Sequence, residues 1–221
     1  MHAIKEIFEA ISIWIILLPL LIGSWFTKKL GRDSIIIFVL VIIATPPQIL
    51  TAFLPLHSKT LNVFYNVYTP FEFFLVFILF KKKFEGRTNN IIFRASGILY
   101  LLISVLFITL FNFKKKFISE WACVNNIIYI VWGLLFISEI LILDTDGVNK
   151  KNAFTYFLLG IFFYSQCTVL IFCLYYFISQ TQILSNTWII QSLSNIIMYC
   201  LFSIGFVVDI KSSQKHLSIT H

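Results

Sequence analysis

The stretch "NVFYNVYTPFEFFLVFILFKKK", Asn62 to Lys83, is long enough to cross a bilayer as one helix, yet it carries a carboxylate, Glu72, near its middle. Its apolar run ends abruptly in Lys81, Lys82 and Lys83, the pattern of a membrane span closed by a charged margin. A span needs about 20 mostly apolar residues to cross a hydrocarbon core about 30 Å thick. The whole chain is punctuated in this way. Apolar blocks at about 7–27, 34–54, 63–80, 91–113, 121–143, 153–178 and 186–210 predict seven helices. Strands are excluded, because the blocks lack in-out alternation and a span must satisfy its backbone polar groups internally. The expected fold is all-α: a polytopic membrane protein, a seven-transmembrane-helix bundle making one domain over residues 1–221.

Composition agrees with this reading. The chain is 59% hydrophobic and 12% charged, with a mean hydropathy of +0.90, whereas a soluble domain has roughly 45 to 50% apolar and about 25% charged residues. The first block is longer than the roughly 7 to 15 residues of a secretion-signal core and no A-x-A site follows it, so it reads as a retained helix. No Ser/Pro/Gly-rich or other low-complexity tract separates the blocks.

The formal charge of +7 does not point to nucleic acid, because the basic residues sit beside the helix ends rather than in an arm or groove. Twelve follow the odd-numbered spans: Lys28, Lys29, Arg32, Lys81, Lys82, Lys83, Arg87, Arg94, Lys150, Lys151, Lys211 and Lys215. Five lie on the other side: Lys5, Lys59, Lys114, Lys115 and Lys116. The positive-inside rule therefore predicts an outside N-terminus and a cytoplasmic C-terminus in the inner (cytoplasmic) membrane, against the local objection of the Lys114 to Lys116 cluster.

Several chemistries drop out. The eight glycines are scattered, with no phosphate-cradling loop on a strand-helix frame, so nucleotide is not an expected partner. A retinal pigment needs a lysine in the last helix, and 186–210 contains none. Pro47-Gln48 supplies the dipeptide of PQ-loop carriers, but all five prolines fall in the first three spans and no internal repeat accompanies them. Cys123, Cys167, Cys173 and Cys200 lack a C-x-x-C spacing and read as buried thiols. His57 is a lone loop histidine, and Asp144 and Asp146 do not complete a twelve-residue calcium loop. No metal, cofactor or catalytic residue is expected. Trp14, Trp25, Trp121 and Tyr100 are expected at the membrane interface or in packing.

"YTPFEF", Tyr68 to Phe73, and "WIIQSLSNII", Trp188 to Ile197, resemble the Y-x-P-x-E-[FY] and W-I-x-[HQ]-S-x-x-N-I-I segments of an uncharacterised family of seven-helix integral membrane proteins from Bacteroidota. The likeness would span nearly the whole chain. It implies the seven-helix architecture and brings no activity with it.

Glu72 lies nine residues before Lys81, about 13 Å along a helix, which puts it near the bilayer centre. An acid there costs about 2.5 to 3.5 kcal/mol on insertion scales and faces the bundle interior. It is expected to be protonated or hydrogen-bonded at neutral pH. Projected at 100° per residue, Asn62, Tyr65, Asn66, Thr69 and Glu72 fall at about 0°, −60°, 40°, −20° and −80°, one polar face opposite Val63, Phe71, Phe74, Leu75 and Ile78. Other spans offer matching groups: Thr45, Gln48 and Thr51 beside Pro46 and Pro47, which are expected to interrupt the helix; Asn125, Asn126 and Tyr129; Tyr164, Gln166, Cys167 and Thr168; and Gln191, Ser194 and Asn195 with Met198. Glu139 is expected to be structural, near Arg94 or solvent.

Two readings of this lining compete. One is interhelical glue, with Asn, Gln, Ser and Thr joining helices at about 0.6 kcal/mol per bond. The other is a ligand or proton site formed by Glu72, Asn66, Thr69, Tyr65, Gln48, Asn126, Tyr164, Gln191 and Asn195. The site reading favours a small-molecule or lipid-binding sensor, or an accessory subunit of a membrane-protein partner. A small secondary transporter or proton-coupled carrier is the alternative. An intramembrane lipid enzyme comes last, because it needs a nucleophile with a base, a metal or paired acids.

Overall fold

In the structure, a computed structural model, residues 2–54, 58–81, 83–84, 87–110, 118–143, 152–177 and 183–219 are described. The elements in order are α1 (His2–Trp14), α2 (Leu17–Trp25), a 3-10 turn (Thr27–Lys29), α3 (Arg32–Leu50), α4 (Lys59–Phe80), α5 (Arg87–Leu110), α6 (Ser119–Leu143), α7 (Ala153–Phe177) and α8 (Ile183–Ile219). Together α1 and α2 make one span, so seven segments are long and apolar enough to cross a membrane. No strand occurs among the described residues. Apolar side chains cover the outside, with Leu21, Phe74, Leu101, Leu102 and Val105 each 60 to 67% exposed. This multi-pass membrane protein therefore hides part of its apolar surface in a core and offers the rest to lipid.

The first span breaks at Ile15 and Ile16, where one unbroken helix was expected. Pro19 causes the break. It has no N–H for the Ile15 carbonyl and its ring crowds that oxygen, so the Leu18 N–H takes the carbonyl instead, at 3.0 Å. The expected interruption at Pro46 and Pro47 does not occur; α3 runs through both, as α4 runs through Pro70. In both helices the threonine just before the first proline bonds back one turn, Thr45 Oγ1 to the Val41 carbonyl at 2.7 Å and Thr69 Oγ1 to the Tyr65 carbonyl at 2.9 Å. Such back-bonds help a membrane helix absorb a proline.

Several boundaries also differ from expectation. The second span ends at Leu50 in a turn rather than continuing to 54, because its closing residues are apolar without being helical. The third begins at Lys59, four positions earlier than expected, with Ser58 Oγ capping it by accepting from the Leu61 N–H at 3.2 Å. The last helix continues to Ile219, giving 37 residues, or about 55 Å at 1.5 Å per residue.

The helices close into a ring: α1/α2 packs on α3, α3 on α4, α4 on α6, α6 on α7, α7 on α8, and α8 returns to α1/α2. The fifth helix stands outside the ring against α6 and reaches α4 through stacked rings, Phe73 on Tyr100 and Phe77 on Phe93. Two indole N–H groups of α6 fasten it. Trp121 Nε1 donates to Ser104 Oγ at 3.1 Å and Trp132 Nε1 donates to Ser96 Oγ at 2.8 Å. Trp121 and Tyr100 are thus buried packing residues, whereas Trp14 and Trp25 are exposed.

The α7–α8 seam is close because small residues let the helices approach. A Cβ on Gly205 would fall 2.4 Å from the Phe157 ring, which is fully buried and held edge-on by Phe202 and Phe206. Gly205→Ala should therefore cost about 1 to 3 kcal/mol by overpacking, read as a lowered thermal midpoint in detergent.

Candidate functional site

A cavity of about 50 Å³ lies inside the ring. Its walls follow helical spacing. Tyr65, Tyr68, Glu72 and Val76 come from α4; Leu40, Val41, Ala44, Pro47 and Gln48 from α3; Tyr129 from α6; Ile161, Tyr164 and Ser165 from α7; and Asn195, Met198, Tyr199 and Phe202 from α8. Three- and four-residue steps place each set on one helix face. Beyond Val76 and Phe202, buried rings of Phe80, Trp132, Phe154, Phe157 and Phe206 fill the bundle. That half of the molecule ends in an ion pair, Lys83 Nζ to Asp33 Oδ2 at 2.6 Å, with the same ammonium 4.2 Å from the Phe154 ring centre. At the same end Asp209 of α8 accepts from the Gly31 N–H at 2.6 Å.

Glu72 is half-buried and lines the cavity. Asn125 Nδ2 reaches its Oε2 at 3.4 Å, a long bond for a carboxylate. Outside the lining, Ser12 of α1 gathers two amides of lining residues: Gln48 Nε2 donates to its carbonyl at 3.1 Å, while Asn195 Nδ2 lies 3.3 Å from that carbonyl and 3.1 Å from the Ser12 hydroxyl. Two lining hydroxyls, those of Tyr129 and Ser165, are buried without a hydrogen-bond partner; Asn125 lies beside the Tyr129 phenol but outside bonding geometry. A buried polar atom left unpaired costs about 1 to 3 kcal/mol.

Of the nine residues predicted from sequence, Glu72, Tyr65, Gln48, Tyr164 and Asn195 line this cavity. The other four lie outside its lining. Asn66 Oδ1 accepts from the Ile118 N–H at 3.0 Å, tying the start of α6 to α4. Thr69 back-bonds within α4, and Asn126 Nδ2 donates to the Ala122 carbonyl at 2.8 Å. Gln191 pairs with Thr168 at 3.3 Å, behind Tyr164.

The single polar face expected on α4 is therefore two adjacent faces. Tyr65, Tyr68, Glu72 and Val76 span one arc of about 80° toward the cavity, while Asn62, Asn66, Thr69 and Phe73 lie on the next arc and are buried. On the opposite face Phe71 and Phe74 are exposed and Leu75 packs against the core. Tyr68, Ser165 and Ser12 were missed. Tyr68 sits one turn before Glu72 and could have been found from that spacing; Ser12 stands in an apolar run with nothing to mark its register. Glu139 accepts from Asn89 Nδ2 at 3.1 Å, and Arg94 bonds Asn90. His57, Asp144, Asp146 and Lys114 to Lys116 lie outside the described residues.

Among the described residues no three His, Cys, Asp or Glu side chains stand together as a metal site. No protein-family model matches the chain, and no curated protein or solved structure matches it.

Because Gln48 and Asn195 share the Ser12 carbonyl, Gln48→Leu and Asn195→Leu should each lower stability by about 0.6 to 1.7 kcal/mol. The double variant should deviate from additivity. Unfolding of the four proteins in a double-mutant cycle measures both effects.

Proposed function

We propose that this chain is a small-molecule-binding membrane protein that acts as a sensor or as an accessory subunit of another membrane protein. One observation carries the reading: a cavity walled by Glu72 and five tyrosines in which the hydroxyls of Tyr129 and Ser165 have no partner. Pure interhelical glue would pack the acid against a fixed partner, whereas Glu72 faces open space with one 3.4 Å bond. In the proposed orientation the N-terminus is outside and the C-terminus is in the cytoplasm of an inner membrane. Support comes from the basic margins gathered at the end that holds Lys83, Asp33 and Asp209. The cavity then lies in the outer half, above the aromatic floor.

A proton-coupled carrier is the second reading, and the broken first span favours it. Ser12, which holds Gln48 and Asn195, lies one turn before the break at Ile15 and Ile16, and broken helices near the midplane often build transport sites.

The test is a thermal-shift screen of the full chain in lipid nanodiscs against small cations, anions, neutral polar molecules and soluble lipid headgroups. Binding predicts a saturable stabilisation of about 2.7 kcal/mol at a hundredfold excess over Kd for at least one class. Silence toward every class removes the binding reading. For the carrier, uptake or proton flux in proteoliposomes should fall in Glu72→Gln, and unchanged flux would remove it.

A further inference from the structure

The cavity contains one carboxyl group and no basic side chain: no lysine, arginine or histidine is among its lining residues. A carboxylate at this depth cannot remain unpaired and charged, because the cost is several kcal/mol per ion. Two arrangements satisfy charge balance. Either Glu72 holds a proton, or the cavity holds a cation beside it.

The walls say which cation. Five tyrosine rings, from α4, α6, α7 and α8, line the same space, and aromatic faces attract organic ammonium groups through their quadrupoles. The unpartnered oxygens of Tyr129 and Ser165 can accept N–H bonds. A cavity of about 50 Å³ is suited to a small ligand rather than a drug-sized one.

Resting on the binding reading above, we infer that the cavity is a site for a small primary alkylammonium ion, whose three N–H donors are shared by the Glu72 carboxylate and the unpartnered hydroxyls of Tyr129 and Ser165. Binding converts the neutral acid to carboxylate. The proton of Glu72 leaves to solvent as the ammonium enters, so the net charge of the cavity does not change and one proton is released per ion bound. No other group facing Glu72 competes for that proton. The titratable side chains around it are the phenols of Tyr65 and Tyr68 on its own helix, Tyr129 on α6, Tyr164 on α7 and Tyr199 on α8; α3 contributes none, and Tyr100 of α5 stacks behind Phe73. Phenols ordinarily ionise near pH 10.

The experiment is a titration of the full chain in nanodiscs with ethylammonium chloride, followed by thermal midpoint and by a pH dye in weak buffer. Tetramethylammonium chloride, sodium chloride, sodium acetate and tert-butanol serve as comparison probes at matched ionic strength. Ethylammonium should give a saturable stabilisation, release one proton, and bind up to about tenfold more tightly per unit rise in pH while the empty acid stays protonated. Glu72→Gln should weaken it roughly 30-fold or more, and Tyr129→Phe, which keeps the ring, roughly tenfold. If Glu72→Gln does not fold, Tyr129→Phe and the proton count carry the test. Equal affinity for tetramethylammonium, no proton release, or no loss in Tyr129→Phe overturns the inference. Saturable stabilisation by acetate or tert-butanol without ethylammonium also overturns it but leaves the binding reading standing, whereas silence toward every class in the screen overturns both.

Discussion

Hydrocarbon offers no hydrogen bonds, so every polar group placed at membrane depth must find its partner inside the protein. The ring of helices answers that constraint in one half of the molecule and relaxes it in the other. In the Lys83 half, rings fill the space between helices, and several polar groups are tied off, the Trp132 indole N–H by Ser96, Lys83 by Asp33, and Glu139 by Asn89, while the buried Ser34 hydroxyl is left without a partner. In the other half, Glu72 has one long bond and two neighbouring hydroxyls have none. What sets the cavity apart from the core is the open space beside Glu72.

The aromatic floor and the broken first span act together on that cavity. Phe80, Trp132 and Phe154 are wholly or almost wholly buried and interlock by tilted and edge contacts, and buried Phe157 meets Phe206 edge-on, so the lower half is rigid on packing grounds. The upper half rests on amide bonds to Ser12, which sits just before a helix break made by Pro19. Interhelical bonds of this kind are individually weak. The outlying α5, apolar on its free face, adds packing and lipid contact but contributes nothing to the cavity lining.

Much of the architecture was legible in the chain because it depends on one-dimensional quantities. Span length, apolar content and charged punctuation are local properties, and they identified seven membrane segments. Helix periodicity placed Glu72 on a polar arc with Tyr65, and both line the cavity. Periodicity went wrong where two partners share a helix. It merged the cavity arc with the Asn66 arc, because a wheel has no knowledge of which neighbour occupies each direction. Proline was misjudged for a related reason: the effect depends on whether the preceding residue can bond back, as Thr45 and Thr69 do and Leu18 cannot.

By itself, the sequence determined that this protein is a bundle of helices in a membrane and that one acid lies deep within it, since hydropathy and the cost of burying charge are settled before any helix meets another. Only the tertiary structure decided which side chains share a space. Ser12 and Asn195 are distant in the chain yet bonded, Asn66 serves α6 rather than Glu72, and Tyr129 and Ser165 have no partner. Those outcomes follow from how the ring closes, α8 against α1 and α4 against α6, and closure is a property of all the helices at once.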